Sequence, residues 1–296
     1  VKTGPYILAL ALAAPATSSA GPITTNTALP IHDGELIVRA QGKLLRATGD
    51  PGPRDRDLTV WAVPTVLVYG ATAKLALFSV IPYLDKDLEL TTPEGRTSRG
   101  DSGLGDLRLF ARYSAAQWDS PGETLRLAPF IGLEVPSGRD DKSDAFGKLP
   151  QPLQLGSGSW DPFLGLVFTW QTLAWEFDSS ISYDFKTEAN DFEVGDLARL
   201  DLSFQYRLWP RDLGEGVPGF LYLVAESNLL WQDRNQISGS SDSNSGGTTW
   251  LLTPGLQYIT RRFILEGAVQ LPAVQRLGGS TLETDLIATT GFRVNF

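Results

Sequence analysis

Cysteine is absent from the 296 residues, which excludes disulfides, thiolate metal sites, haem attachment and a cysteine nucleophile. Histidine occurs once, as His32, ahead of the first patterned segment. Ser–His catalysis would need that one residue carried to a distant serine, so a loop position is expected for it and no enzymatic activity is expected of the chain. No long basic tract offsets the formal net charge of -9, which argues against a nucleic-acid partner. Beyond the N-terminus no run of eighteen apolar residues appears, so a helical membrane span is not expected. Methionine is missing even at position 1, compatible with a non-ATG start read as Val or with a chain given without its first residues.

Aromatic residues are plentiful: eight Trp, eight Tyr and fourteen Phe, with Gly and Pro spread between them as punctuation. Residues 1–20 have secretory layout, with Lys2, an apolar core over 6–14 and the small residues Ser18-Ser19-Ala20. A signal peptide is therefore expected over 1–20. It would be followed by a periplasmic segment over 21–33 and a single domain over 34–296.

The last fifteen residues, LETDLIATTGFRVNF, separate by parity. Phe296, Val294, Phe292, Thr290, Ala288, Leu286 and Thr284 fall on one face, and Asn295, Arg293, Gly291, Thr289, Ile287, Asp285 and Glu283 on the other. Side chains alternate across a strand, so this is an amphipathic strand that ends on an aromatic residue. Similar patterning recurs over 34–47, 58–70, 73–84, 103–117, 123–135, 159–171, 174–186, 196–209, 219–232, 248–260, 262–271 and 282–296. In 174–186, for example, Trp175, Phe177, Ile181, Tyr183 and Phe185 oppose Glu176, Asp178, Asp184 and Lys186.

Such strands suit either a soluble sandwich with its apolar face inside or a membrane barrel with its apolar face on lipid. Trp and Tyr gather near strand ends, as membrane girdles require. Connections alternate between short (70–72, 118–122, 172–173, 260–261) and long and polar (48–57, 85–102, 136–158, 187–195, 233–247, 272–281), although 210–218 breaks the rule mildly. Together these predict an all-β, closed antiparallel transmembrane barrel of about 12 strands in an up-and-down meander. The last strand would pair with the first near 35–43, because lipid cannot satisfy an open edge. Pro64, Pro82, Pro129 and Pro254 interrupt predicted strands and are expected at bulges or rims.

Three motifs stand in order: Gly103-Leu104-Gly105-Asp106, Pro136-Ser137-Gly138, and Leu155-Gly156-Ser157-Gly158-Ser159-Trp160-Asp161-Pro162. In that order they resemble the outer-membrane transporter family named for the MetA pathway of phenol degradation, most closely over 103–186. The mature N-terminus departs from the family's proline- and acid-rich pattern. The resemblance implies an outer-membrane channel or transporter and leaves its substrate undefined. Gly103, Gly105, Asp106, Pro136, Gly138, Gly156, Gly158 and Asp161 are the motif residues. Rim hydrogen bonding to loop backbone is the common use of Asp at a strand start, with a conduction role the alternative for Asp106 and Asp161.

One register lines the lumen with Glu35, Arg39, Lys43, Lys74, Arg108, Arg112, Arg126, Glu134, Glu176, Asp178, Asp184, Arg199, Asp201, Arg207, Glu226, Glu266, Glu283, Asp285 and Arg293. These charges would form either a salt-bridged plug or a constriction with opposed acidic and basic walls. A narrow or partly occluded pore is expected, with 21–33 folded into it as a candidate plug or lying against the periplasmic rim. Asp140, Asp141 and Asp144 lack an EF-hand arrangement, so no metal site and no cofactor is expected. The function expected is passive or facilitated passage of small solutes, aromatic or other hydrophobic compounds among them. The alternative is a structural platform, or a sleeve for a partner protein. The partners implied are outer-membrane lipid, the barrel-assembly machinery and the solutes themselves.

Overall fold

The structure is a computed structural model that describes residues 21–212 and 219–296. The expected signal peptide therefore lies outside the described residues, as does most of the 210–218 link.

Twelve antiparallel strands close into a barrel. They are β1 (Leu36–Ala47), β2 (Asp57–Gly70), β3 (Leu75–Thr92), β4, β5 (Glu123–Val135), β6 (Asp161–Thr172), β7 (Trp175–Asp184), β8 (Leu197–Trp209), β9 (Phe220–Gln232), β10 (Gly247–Ile259), β11 (Phe263–Leu277) and β12 (Leu286–Asn295). The fourth strand, β4, runs in three segments, Gly95–Leu104, Leu107–Tyr113 and Ala116–Ser120. Each strand pairs with its sequence neighbours, and β12 returns to β1 from Ile37↔Asn295 to Arg46↔Leu286. Every ladder edge is thereby occupied, as a hydrocarbon environment demands.

Parity decides the faces. Ile131, Ile181, Leu200, Phe204, Leu256, Leu265 and Phe292 are exposed on the outer surface, whereas Glu176, Asp178, Asp201, Gln205, Glu226, Asn228 and Gln257 are buried inside. A soluble sandwich would show the reverse. Exposed Tyr69, Trp118, Trp170 and Trp209 mark the rim that carries the short turns, and Trp61, Trp160, Trp231 and Trp250 mark the opposite rim.

Three strands run further than the sequence suggested. The polar stretch expected as a loop over 85–102 is instead a tall hairpin, in which Asp85↔Ser102 continues up to Thr92↔Gly95. Likewise β11 extends to Leu277 through a register shift at Trp250/Leu251, where Pro272 sits. Both extensions carry only a short signal, Leu88 and Leu90 against Asp87 and Glu89 in the first and a proline-interrupted PAVQRL in the second, which the surrounding polar residues outweigh.

The four interior prolines sit where a ladder lapses, in mid-strand rather than at rims. Pairing of β1 with β2 jumps from Ala40↔Thr65 to Lys43↔Ala62, skipping Pro64. Pro82 faces the gap between the upper two segments of β4, and Pro129 the gap between the lower two. Pro254 falls between Leu252↔Leu271 and Gly255↔Ala268. A residue without an N–H costs least where no bond is due.

The break in β4 has a further use. It turns out the Asp106 carboxylate, which accepts hydrogen bonds from the backbone N–H of Gly138 (2.8 Å) and from the N–H and hydroxyl of Ser157 (2.6 and 2.8 Å). Ser157 and Gly138 are the two feet of the 136–160 loop, so one buried carboxylate clasps both. A side chain at Gly156 would meet the Gly138 carbonyl at 2.5 Å, and Gly158 holds φ +77°, so glycine is required at both. Asp161 does similar work for the next loop, accepting from Lys186 Nζ (2.9 Å) and the Thr187 N–H (3.0 Å). The motif residues thus fasten loops at the rim that carries the long connections. Arg99 adds a bidentate pair to Asp144, holding that carboxyl below its usual range, and Asp140 accepts from Asn190.

Two outcomes are expected. Placing a charge on the outer face, Ile131→Arg, should cost about 2–4 kcal/mol in reversible unfolding from lipid vesicles, while Ile131→Leu stays close to wild type. Asp106→Ala should leave the barrel folded, judged by heat-modifiable mobility on gels, but loosen the 136–160 loop so that trypsin added to intact cells cleaves at Lys142 and Lys148 several-fold faster.

Candidate functional site

The barrel interior is organised by residues 21–31, which lie within the lumen as a collar. Successive residues touch successive strands. The carbonyls of Pro22 and Ile23 accept from Arg39, and that of Ile23 also from Gln41, both on β1. Ile23 packs on Val224 and Ala268 of β9 and β11. Thr24 meets Glu226 and Asn228 of β9, and Thr25 meets Asp201 of β8 at 3.5 Å. Thr27 and Ala28 reach Thr169 of β6, and Ala28 is buried against Ala128, Phe130, Phe163 and Val167. The carbonyls of Thr27 and Leu29 accept from Arg112 of β4. Ile31 packs on the cluster of Ile37, Val68, Ala76 and Phe78 before the chain enters β1. The collar therefore makes nearly one full circuit of the inner wall.

Its chemistry matches the wall it covers. Glu226 accepts from the N–H groups of Ile23 (2.7 Å) and Thr24 (3.0 Å), from the Thr24 hydroxyl (2.6 Å) and from Ser203 (2.9 Å). Glu266 is held by Arg39, Gln41 and Gln257. Asp178 accepts from Thr169 and Gln205, and Glu176 from Gln171, with Thr27 at 3.5 Å. Buried carboxylates left without donors would be costly, and here almost every oxygen has one.

The opposite wall carries cations and rings. Phe78, Phe110, Phe130 and Phe163, from β3 to β6, point inward; Phe78 and Phe110 stack at 4.3 Å with 9° between planes, and Phe130 and Phe163 meet Phe110 at 5.8 and 5.9 Å. The Arg108 guanidinium lies 4.2 Å over Phe163 and that of Arg112 4.9 Å over Phe78. Glycine makes room for two of these rings: a Cβ on Gly132 would stand 2.4 Å from Phe163, and one on Gly165 2.4 Å from Phe130. This inward aromatic cluster went unread in the sequence. Its signal was present, since Phe110 shares parity with Arg108 and Arg112, and Phe130 with Arg126 and Glu134.

Between collar and rings lies a cavity of about 340 Å³, lined by residues 21–27 and by Arg39, Lys43, Arg108, Arg112, Arg199 and Arg293 on the cationic side, with Asp184 and Asp201 the carboxylates. Arg108 pairs with Asp184 at 2.8 Å and lies 3.5 Å from Glu134, while Arg199 lies 3.3 Å from Asp201. Other expected lumen residues stand away from the cavity. Arg126 pairs with Asp119 near the short-turn rim, Arg207 lies over the Phe220 ring, and Glu134 also engages Lys186. Glu35 accepts from the His32 N–H and from Asn295 where the collar joins β1.

Three expected residues are not in the lumen. Lys74 is exposed in the turn between β2 and β3, because that strand opens only at Leu75. Asp285 and Glu283 precede β12, whose first residue is Leu286; Asp285 instead accepts from the N–H and hydroxyl of Thr48 in the first long loop.

The sequence profile of the family described as "Putative MetA-pathway of phenol degradation" matches residues 54–274. No curated protein matches. Among solved structures, the COG4313 outer membrane channel from Pseudomonas putida is similar at 17% identity and TM-score 0.70, over 94% of this chain and 100% of that one. The β domain of the Bordetella autotransporter BrkA aligns at 13% identity and TM-score 0.45, over 89% and 100% of the two chains. The barrel's closure, its outward apolar face and this match over most of its length lead to one assignment: the chain belongs to the MetA-pathway phenol-degradation family, as a twelve-stranded β-barrel of the bacterial outer membrane.

Proposed function

We propose that this barrel carries small solutes passively or by facilitated passage across the outer membrane, with aromatic or otherwise apolar compounds as the favoured class. The cavity beside the collar is the observation that carries this reading, because a barrel serving only as scaffold has no need of a void faced by rings and guanidinium groups. Size agrees. About eight strands fill with side chains and about sixteen leave an aqueous channel, so twelve strands plus an inner collar leave a conduit for molecules of a few rings at most. The described Pseudomonas putida protein is a channel, and the family's name points to phenol degradation, which supports the same class. No catalytic step is part of the proposal; lipid, the assembly machinery and the solute are the only partners it needs. The sleeve alternative loses ground because the chain's own residues 21–31 occupy the positions a foreign segment would take.

Folded protein in planar bilayers should show small discrete conductance steps, and removal of residues 21–31 should enlarge them several-fold. If both forms stay silent, the conduit reading fails. Arg108→Glu should move the reversal potential toward cation preference, since it removes a cation from the cavity wall and adds an acid; an unchanged potential would take Arg108 out of the conducting path.

A further inference from the structure

We propose that the cavity is a binding site for a small aromatic carboxylate, its anion received by Lys43 and its ring by the phenylalanine wall. The inference rests on the reading of the barrel as a conduit and names the charge class of its solute.

The argument begins with an imbalance. Six cationic side chains line the cavity and two carboxylates do. Both of those carboxylates are engaged: Asp184 with Arg108, and Asp201 with Arg199 and with the Asn228 amide at 2.8 Å. The remaining inward acids, Glu226 and Glu266 among them, face the collar or their own neighbours and are saturated with donors. The collar thus hides the acidic wall and leaves the basic wall facing the void.

On that basic wall most cations are employed. Arg39 holds Glu266, Arg108 holds Asp184, and Arg112 holds two collar carbonyls. Lys43 differs. Its ammonium makes no hydrogen bond or ion pair among the described residues, although it borders the cavity and stands within electrostatic reach of Arg39 and Arg199 and of the carboxylates Glu226 and Glu266. A confined ammonium with no acceptor, facing a void whose neighbouring carboxylates already have their donors, is an arrangement that a bound anion completes.

The other half of the site selects the body of that anion. The stacked Phe78 and Phe110, with Phe130 and Phe163 at their edges, offer a flat apolar surface in the same cavity. Rings prefer offset or edge contact with such a surface. A cavity of about 340 Å³ lies at the lower end of small-molecule sites and takes a single-ring acid in preference to a larger conjugate. An inorganic anion would satisfy Lys43 and leave the rings unused, and a neutral phenol would do the opposite.

Isothermal titration of the folded, detergent-solubilised full barrel with benzoate and with benzyl alcohol tests this directly. Benzoate should bind at least tenfold more tightly than the alcohol. Lys43→Gln should bring the two within about threefold of each other, with the affinity for benzyl alcohol unmoved. Should that variant fail to give a heat-modifiable barrel, Arg199→Gln takes its place and should weaken benzoate selectively as well. Equal affinity for acid and alcohol, or undiminished benzoate binding in the folded variant, overturns the inference. Conductance separates the two readings: a barrel that conducts but shows no benzoate preference loses only this site, whereas one that binds benzoate as described yet never conducts keeps the site and loses the conduit.

Discussion

The need to satisfy every backbone donor and acceptor inside hydrocarbon governs this molecule. Pairing β12 with β1 over ten residues removes the last free edge. Closure then forces a second problem, because alternate side chains now point into a confined interior and many of the buried ones are ionic. The prolines show how tightly the first condition is kept. Four of them lie within spanning strands, yet each falls at a lapse in a ladder. The break opposite Pro82 even frees Asp106 to tie down a loop.

The second problem is solved mainly by the collar. Its threonine hydroxyls and backbone N–H groups meet buried carboxylates, and its carbonyls meet Arg39 and Arg112. A purely salt-bridged interior would have neutralised both walls together. Here a neutral peptide serves as acceptor for one wall and donor for the other, so the walls stay distinct in sign. The result combines the two arrangements that charge patterning alone left open.

Much of this was legible in the sequence, for physical reasons. Period-two alternation fixes which side chains share a face, and loop lengths fix which rim is which, so strand number, meander and inward Glu176, Asp178 and Asp201 could all be read. Three things could not. The hairpin above Asp85 and Ser102 alternates only over Asp87-Leu88-Glu89-Leu90, too short a stretch to mark a strand beside the charged and Gly/Ser/Thr-rich remainder. Phe78, Phe110, Phe130 and Phe163 belong to the inward parity, but an apolar side chain on the polar face breaks the rule used to find that face. The sequence marks 21–33 as a candidate plug but not the path it takes, because the collar has no regular structure and follows acceptors brought together only by closure, such as Glu226 and Thr169, which lie far apart in the chain.

The composition of the collar has one more consequence. Residues 21–31, GPITTNTALPI, contain no ionisable side chain. An electric potential does work only on displaced charge, about 2.3 kcal/mol per elementary charge per 100 mV. If the expected signal peptide is removed after Ala20, the α-amino group of Gly21 is the one charge this segment carries, so a membrane potential acts on its withdrawal through at most a single elementary charge.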